Sequence, residues 1–314
     1  MTLIALTGAT GFIGRQLLAE LPKRGYRIRV LLRRPAQVPL DCDSAVIGDL
    51  TRPQNLSAAF RDAAAVVHSA GLAPGMSGMP ADDYRTINAE ATGALARAAE
   101  RAGVRRFVFM SSIRAQCGPS AFGTVTEDLP ARPTDAYGLS KLGGEHELAA
   151  LMTMDWVALR PVLVYGRGAA GNMAALVGAA RSRVPLPVSA LSARRSLLAL
   201  DNLVDAVTHV LAASQSFRRP FIVADAQALT VAEMIAALRA GLGRGAGVFP
   251  MPEALLRFAL QYTGRDAWIE RLCQPLVASS AALQSLGWTP RVTTVAGLAA
   301  LTREGTGATT GRPA

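Results

Sequence analysis

The stretch Leu3-Ile-Ala-Leu-Thr-Gly-Ala-Thr-Gly-Phe-Ile-Gly14 constrains this chain more than any other feature. A short run without charge, Leu3 to Thr7, leads directly into three glycines spaced Gly-x-x-Gly-x-x-Gly. The run is too short for a helix and apolar enough to be a strand buried on both faces. The glycines then mark a tight strand-to-helix turn, where open backbone amides and the positive end of a helix dipole suit a pyrophosphate. Gly8, Thr10, Gly11, Phe12, Ile13 and Gly14 are the candidate cofactor-binding residues here. Glycines also serve any sharp bend, but Thr7-Gly8 at the strand end makes the match more specific than three glycines alone.

A βα unit of this kind needs parallel partners, and the next part of the chain supplies them. Strands are predicted at Leu3 to Thr7, Arg27 to Leu32, Ser44 to Ile47, Ala64 to Ser69, Phe107 to Ser111 and Trp156 to Arg160. Helices are predicted at Gly11 to Lys23, Pro53 to Phe60, Asp82 to Ala102 and Tyr137 to Met152. The expected class is α/β: a doubly wound parallel sheet, a Rossmann fold, with a smaller mixed C-terminal lid that binds substrate. Past Arg160 the rhythm becomes irregular. A Gly-rich turn over 165–171 precedes a helix from Asn172, a strand from Arg195 to Leu200 and a helix from Asp201. A strand at Pro220 to Val223 and helical stretches from Thr230, Pro252 and Ser279 follow. The expected division is a cofactor domain of 1–165 with 194–224, a substrate domain of 166–193 with 225–302, and a flexible tail over 303–314, Thr302 being read with the tail.

With 314 residues, half of them hydrophobic, the chain can bury a large core. Its net charge of +10 raises the question of nucleic acid or an anionic membrane surface. The basic residues stand singly or in pairs with few aromatics between them, so neither partner is expected. No apolar run approaches the ~20 residues of a membrane span. Cys42, Cys117 and Cys273 are far apart and without ligand spacing, so no metal site or disulfide framework is expected. Met1 runs straight into the first strand, and a cytoplasmic location is the expectation.

About twenty residues past a glycine loop, dinucleotide folds place either an acid for the ribose hydroxyls or a base for a 2′-phosphate. Here the second strand ends in Leu32-Arg33-Arg34, with no acid, and the expected cofactor is NADP, with NAD as the alternative. Asp49 and Leu50 end the third strand where an adenine edge would lie. Ser69, Ala70 and Gly71 end the fourth, beside the expected nicotinamide ribose, and Pro161, just past the sixth, is a further cofactor candidate.

Tyr137-Gly-Leu-Ser-Lys141 sets a phenol and an ammonium four residues apart on one helical face. The cation lowers the cost of a tyrosinate and so fits the phenol for proton transfer. Ser112, at a strand end twenty-five residues upstream, is placed to polarise a carbonyl beside it. Asn88 is a candidate anchor for a water in a proton relay. His68, His146 and His209 lack nucleophile partners and are expected to be structural. The adjacent acids Glu127 and Asp128, in a Pro-rich loop, read as a solvated turn.

Together, the glycine loop, Asn88, Ser112, Tyr137 and Lys141 resemble the extended short-chain dehydrogenase/reductase family, also called the epimerase/dehydratase family. The resemblance implies that Ser112, Tyr137 and Lys141 are catalytic, that Asn88 supports them, and that Tyr137 and Lys141 also touch the cofactor. Segments 159–168, 171–172, 185–187 and 194–203 look like bacterial sugar-nucleotide 4-ketoreductases of polysaccharide assembly. That likeness puts Ser112, Asn172 and Arg195 on the substrate, implies a UDP-2-acetamido-2,6-dideoxy-hexos-4-ulose-like ketone, and suggests a homodimer. The chain departs from many members by carrying Ile113-Arg-Ala-Gln-Cys117 where they have Tyr-Gly after the serine, and by lacking the cofactor-strand acid.

The leading expectation is therefore reduction of a 4-keto nucleotide sugar. A nucleotide-sugar 4-epimerase would use the same residues. A non-catalytic NADP-binding sensor or assembly protein would have no need to keep the Tyr137–Lys141 pair.

Overall fold

A computed structural model of the chain describes residues 1–73, 80–262 and 272–303. Seven strands form one parallel sheet: β1 (Thr2–Thr7), β2 (Tyr26–Leu32), β3 (Asp43–Val46), β4 (Ala65–His68), β5 (Arg106–Met110), β7 (Asp155–Pro161) and β11 (Arg218–Val223). Their spatial order, β3-β2-β1-β4-β5-β7-β11, runs outward in both directions from β1, and every pairing is parallel. This is the doubly wound fold that the sequence implied, with the strand at 218–223 joining it as the seventh member.

Burial explains the strand sequences. All residues of β4 and β5 are buried, as is β1 after Thr2, so these central strands are apolar on both faces. Alternate residues feed separate cores: Ile4, Leu6, Val108 and Met110 pack on one side of the sheet, and Ala5, Phe107 and Phe109 on the other. The edge strand β11 needs protection from stray pairing, and Glu127 Oε1 accepts a 2.6 Å hydrogen bond from the Ile222 amide. Glu127 is thus an edge cap, a correction to the solvated-turn expectation: the partner is supplied by a strand residue 95 positions downstream.

The helices covering the sheet include α1 (Phe12–Glu20), α2 (Leu56–Phe60), α3 (Ala81–Arg85), α4 (Ala91–Arg101), α5 (Ala136–Ala149) and α7 (Leu200–Ala212). The long helix expected over Asp82 to Ala102 is interrupted by a π turn at Thr86–Glu90, which contains Asn88.

A third core gathers Tyr165, Met173, Leu197, Met234, Ile235 and Leu298. Around it lie α6 (Asn172–Arg181), α8 (Val231–Gly241), α9 (Glu253–Tyr262) and short strand pairs. These pairs are β8 (Leu163–Tyr165) with β10 (Leu197–Ala199), and β9 (Arg194–Arg195) with β12 (Leu229–Thr230). Helix α8 starts at a capping box in which Thr230 and Glu233 satisfy each other's backbone amides.

One helix, Thr294–Arg303, was not anticipated. Its β-branched start and central Gly297 weaken the local signal, and tertiary contacts carry it: Leu298 and Thr302 are fully buried, and Thr302 Oγ1 donates to the Leu238 carbonyl at 2.7 Å. Thr302 and Arg303 therefore belong to this helix and not to a tail, while residues 304–314 lie outside the described residues.

Candidate active site

The carboxyl end of a parallel sheet is where loops from several strands converge. The Gly11 amide donates to the Gly8 carbonyl at 2.9 Å, closing the turn after β1. Gly8 has φ +71°, and a β-carbon there would sit 2.5 Å from the Ala70 nitrogen; one on Gly14 would sit 2.0 Å from the Gly8 carbonyl oxygen. No side chain fits at either position. The N-cap of α1 is Gly11, without a side-chain cap and without an acid in the first turn, so its leading amides are left for a ligand. By contrast, α5 has Asp135 accepting from the Gly138 amide at 2.7 Å. This cradle fits the anionic bridge of a dinucleotide. Thr10 and Gly11 are exposed and Phe12 and Ile13 half-buried around it.

The tips of β1 and β4 are tied together. Thr7 Oγ1 accepts from the Ala70 amide at 3.2 Å and shares a 2.7 Å hydrogen bond with His68 Nδ1. His68 Nε2 lies 3.0 Å from Thr92 Oγ1, and burial, aided by the Lys141 cation, lowers the imidazole pKa to about 3. This histidine is structural, as expected.

Ser112 stands two residues past the end of β5 and caps a 3₁₀ turn over Ile113–Ala115, its Oγ accepting from the Arg114 amide at 3.1 Å. Tyr137 stands in the first turn of α5, and Lys141 one turn on. Lys141 Nζ donates to the Met110 carbonyl at 2.9 Å, 4.8 Å from the centroid of the Phe109 ring and 6.0 Å from that of Tyr137. Burial pulls the Lys141 pKa down to about 8, against an opposing pull from the Glu145 carboxylate. Burial raises the Tyr137 phenol; a hydrogen bond with Ser112 and the Arg114 cation counter this, while Asp135 and Tyr84 add to the rise. The Tyr84 and Tyr137 rings meet edge to face at 6.2 Å.

Asn88 joins this group from the π turn. Its Oδ1 accepts from the Leu72 amide at 2.8 Å, and its Nδ2 donates to the Leu72 carbonyl at 3.2 Å and to Ser140 Oγ at 3.0 Å. It thereby fastens the loop after β4 to α5. A β-carbon on Gly71 would lie 2.6 Å from Asn88 Oδ1 and 3.3 Å from Lys141 Nζ, so the loop after β4 and the helix bearing Tyr137 and Lys141 adjoin.

The remaining expected residues are less closely gathered. Ser69, Ala70 and Gly71 follow β4, and Pro161 ends β7. Arg33 and Arg34 are exposed after β2, and Leu50 is half-buried. Asp49 accepts from the Thr51 amide at 2.9 Å and the Thr51 hydroxyl at 2.8 Å; these bonds, with help from Arg33, hold its carboxyl below its ordinary range. Arg195 donates to the carbonyls of Gln274 at 2.7 Å and Pro119 at 2.8 Å, which brings β9 to the segment that follows Ser112. Asn172 is exposed in the first turn of α6, and no hydrogen bond joins it to the Ser112–Lys141 group.

A buried charged chain beneath the site escaped the sequence reading. Glu145 Oε1 accepts from Ser111 Oγ at 2.5 Å and from Arg160 Nε at 2.9 Å, and Arg160 also donates to Gln116. Glu145 is one turn beyond Lys141, a spacing that places both on one face of α5; nothing local points to its partner on β7. No cluster of potential metal ligands occurs among the described residues.

A glycine cradle adjoining a phenol, an ammonium and a serine hydroxyl is the arrangement of a dinucleotide-dependent oxidoreductase. More particularly, the chain belongs to the NAD dependent epimerase/dehydratase family, whose model matches residues 4–224. It is 32% identical to a UDP-glucose 4-epimerase of Vibrio cholerae over 298 residues, which is 91% of this chain and 90% of that protein. It is 32% identical to a ceramide reductase of Caulobacter vibrioides over 202 residues, 63% of this chain and 57% of that one. Among solved structures, MoeE5 in complex with UDP-glucose and NAD is 28% identical with a TM-score of 0.74, covering 96% of this chain and 98% of its own.

Proposed function

We propose that this enzyme carries out hydride chemistry at C4 of a nucleotide sugar, reducing a 4-keto sugar to the 4-hydroxy sugar with NADPH. The observation that carries the redox assignment is the meeting of Tyr137, Ser112 and Lys141 with the glycine cradle at one end of the sheet. When bound, the nicotinamide supplies the hydride. The Ser112 hydroxyl orients the ketone oxygen, and Tyr137 delivers the proton to that oxygen. Lys141, anchored on the Met110 carbonyl, favours the tyrosinate left behind. The likeness to MoeE5, which was solved with UDP-glucose and NAD, supports a nucleotide-sugar substrate. In this reading residues 166–193 and 225–302, around the third core, form the substrate-binding part, with Asn172 and Arg195 toward the diphosphate.

NADP is favoured over NAD because Arg33 and Arg34 stand exposed where an acid would bind ribose hydroxyls. The missing acid likewise favours a reductase that exchanges its cofactor. A specific observation favours a second reading, 4-epimerisation: the 32% identity to the Vibrio cholerae UDP-glucose 4-epimerase spans nearly the whole chain. Cofactor stoichiometry separates the two. A reductase oxidises one NADPH for each product, whereas an epimerase turns over with no net change at the nicotinamide absorbance band. NADPH and NADH offered separately with a panel of 4-keto nucleotide sugars decide the matter, and no oxidation with any of them would sink the reductase.

The proposal extends to a cytoplasmic homodimer paired through the helices that carry Asn88 and Tyr137. Leu139, 58% exposed on α5, is the apolar side chain such a contact would cover, and sedimentation reads the mass directly.

A further inference from the structure

We propose that Arg114 is a positioning residue for both hydroxyls of the site, holding Ser112 through its amide and, through its ion pair with Asp135, the helix turn that bears Tyr137. The inference deepens the proposed function and rests on Tyr137 as the proton donor.

Three contacts converge on this residue from the 3₁₀ turn after β5. Its amide donates to Ser112 Oγ at 3.1 Å, which occupies a lone pair of the hydroxyl and directs the serine proton away from the turn. Its carbonyl packs on Gly138, where a β-carbon would come within 2.3 Å, so the turn is pressed against the residue that follows Tyr137. Its guanidinium is ion-paired with Asp135, the N-cap of the Tyr137 helix. Arg114 Nε is buried and has no hydrogen-bond partner, so Asp135 satisfies the fork on one side alone. The main chain of residue 114 meets the serine and the tyrosine's neighbour, and its side chain pairs with the cap of the tyrosine's helix, so the ion pair sits where the two groups are joined.

Among the described residues, four charged or titratable groups bear on Tyr137. Lys141 lies on its own helix, Asp135 at that helix's cap, Arg114 on the turn after β5, and Tyr84 on α3. Of these, Arg114 favours the tyrosinate, while Asp135 and Tyr84 oppose it. The two members of the Arg114–Asp135 pair therefore act on Tyr137 with opposite signs.

That opposition supplies the test. The five tyrosines are replaced biosynthetically by a ring-difluorinated tyrosine, whose phenol titrates near neutral pH, and the Tyr137 signal is assigned in fluorine NMR by its loss in Tyr137→Phe. Arg114→Gln is expected to raise the Tyr137 midpoint by roughly 0.5 to 1 pH unit. Asp135→Asn, which keeps a good N-cap, is expected to lower it, and Arg114→Lys to leave it near the parent value. Loosening of the helix alone would move the two neutralising variants in the same direction, and that result, or superposable titrations, would overturn the proposal. Should Arg114→Gln fail to fold, the Asp135→Asn and Arg114→Lys titrations still decide: a midpoint that rises or stays put in Asp135→Asn, or one that shifts in Arg114→Lys, counts against it. The titration needs neither substrate nor turnover. An active Tyr137→Phe enzyme would instead remove the proposed function, so the two failures are told apart.

Discussion

Glu145 and Arg160 form an ion pair in which the side chains are only 4% and 5% exposed, with Arg160 Nη2 2.5 Å from Glu145 Oε2. The pair joins α5 to β7 one turn beyond Lys141. Removing one partner from such a pair leaves a charge stranded in a low-dielectric interior. Arg160→Met is expected to lower unfolding stability by about 3–5 kcal/mol, read from the denaturant midpoint at constant slope. Replacing both residues by apolar ones, Arg160→Met with Glu145→Leu, is expected to recover part of that loss. A double variant no better than the single would show that the carboxylate's other bond, from Ser111, outweighs the ion pair.

Lys141 makes a second prediction possible because the sequence contains just two lysines, Lys23 and Lys141. Burial lowers Lys141 from 10.5 to about 8 in the folded protein. Between these values the unfolded chain binds the extra proton, so this group makes stability rise with pH from about 8 to about 10.5 and contributes no slope below 8. Carbon NMR of lysines labelled at Cε, with the Lys141 signal assigned by its loss in Lys141→Met, should show a Lys141 midpoint near 8. Lys141→Met should abolish its share of the alkaline rise in stability. A Lys141 midpoint at 10.5 would mean that the ammonium remains solvated.

How much of this was visible in the sequence depends on whether each requirement is local. The glycine loop and the Tyr137–Lys141 pair were legible because a turn and a helix face fix their spacings. The central strands were legible because burial on both faces leaves unbroken apolar runs. Glu145 was not, since its partner arrives from β7 and no local pattern announces it. The helix Thr294–Arg303 was missed for the same reason: its stability comes from Leu298 and Thr302 against α8, not from propensity. Glu127 was misread as a solvated turn because the amide it caps belongs to β11.

The cradle yields a third prediction. A methyl group on Gly14 would meet the Gly8 carbonyl at 2.0 Å, and neither backbone can move without opening the turn. Gly14→Ala is expected to destabilise the fold by about 1–3 kcal/mol and to weaken dinucleotide binding, measured by calorimetry, by roughly tenfold or more. Gly25→Ala is the control: φ is positive there, +87°, unlike at Gly14, and no atom lies within 4 Å of the added carbon. It should lower stability through backbone strain alone and leave cofactor affinity unchanged. Equal effects on affinity would mean that the glycines matter for folding and not for the ligand.

The last prediction concerns the choice of cofactor. Arg33 and Arg34 follow β2 in exposed positions, and Arg33 is near enough to Asp49 to lower its carboxyl. An arginine fork facing a 2′-phosphate gains charge-assisted hydrogen bonds worth about 1.5–3 kcal/mol, and the dianion rewards it only when the phosphate is present. Replacing both arginines by alanine is therefore expected to weaken NADPH binding by roughly 10- to 100-fold while changing NADH binding by less than about threefold. Nicotinamide fluorescence titration measures both without any sugar substrate. Raising the salt concentration should weaken NADPH more than NADH in the parent protein, and this difference should shrink in the double variant. An enzyme that already binds NADH more tightly than NADPH, with no response to either substitution, would assign the two arginines to solvent and return the cofactor to NAD.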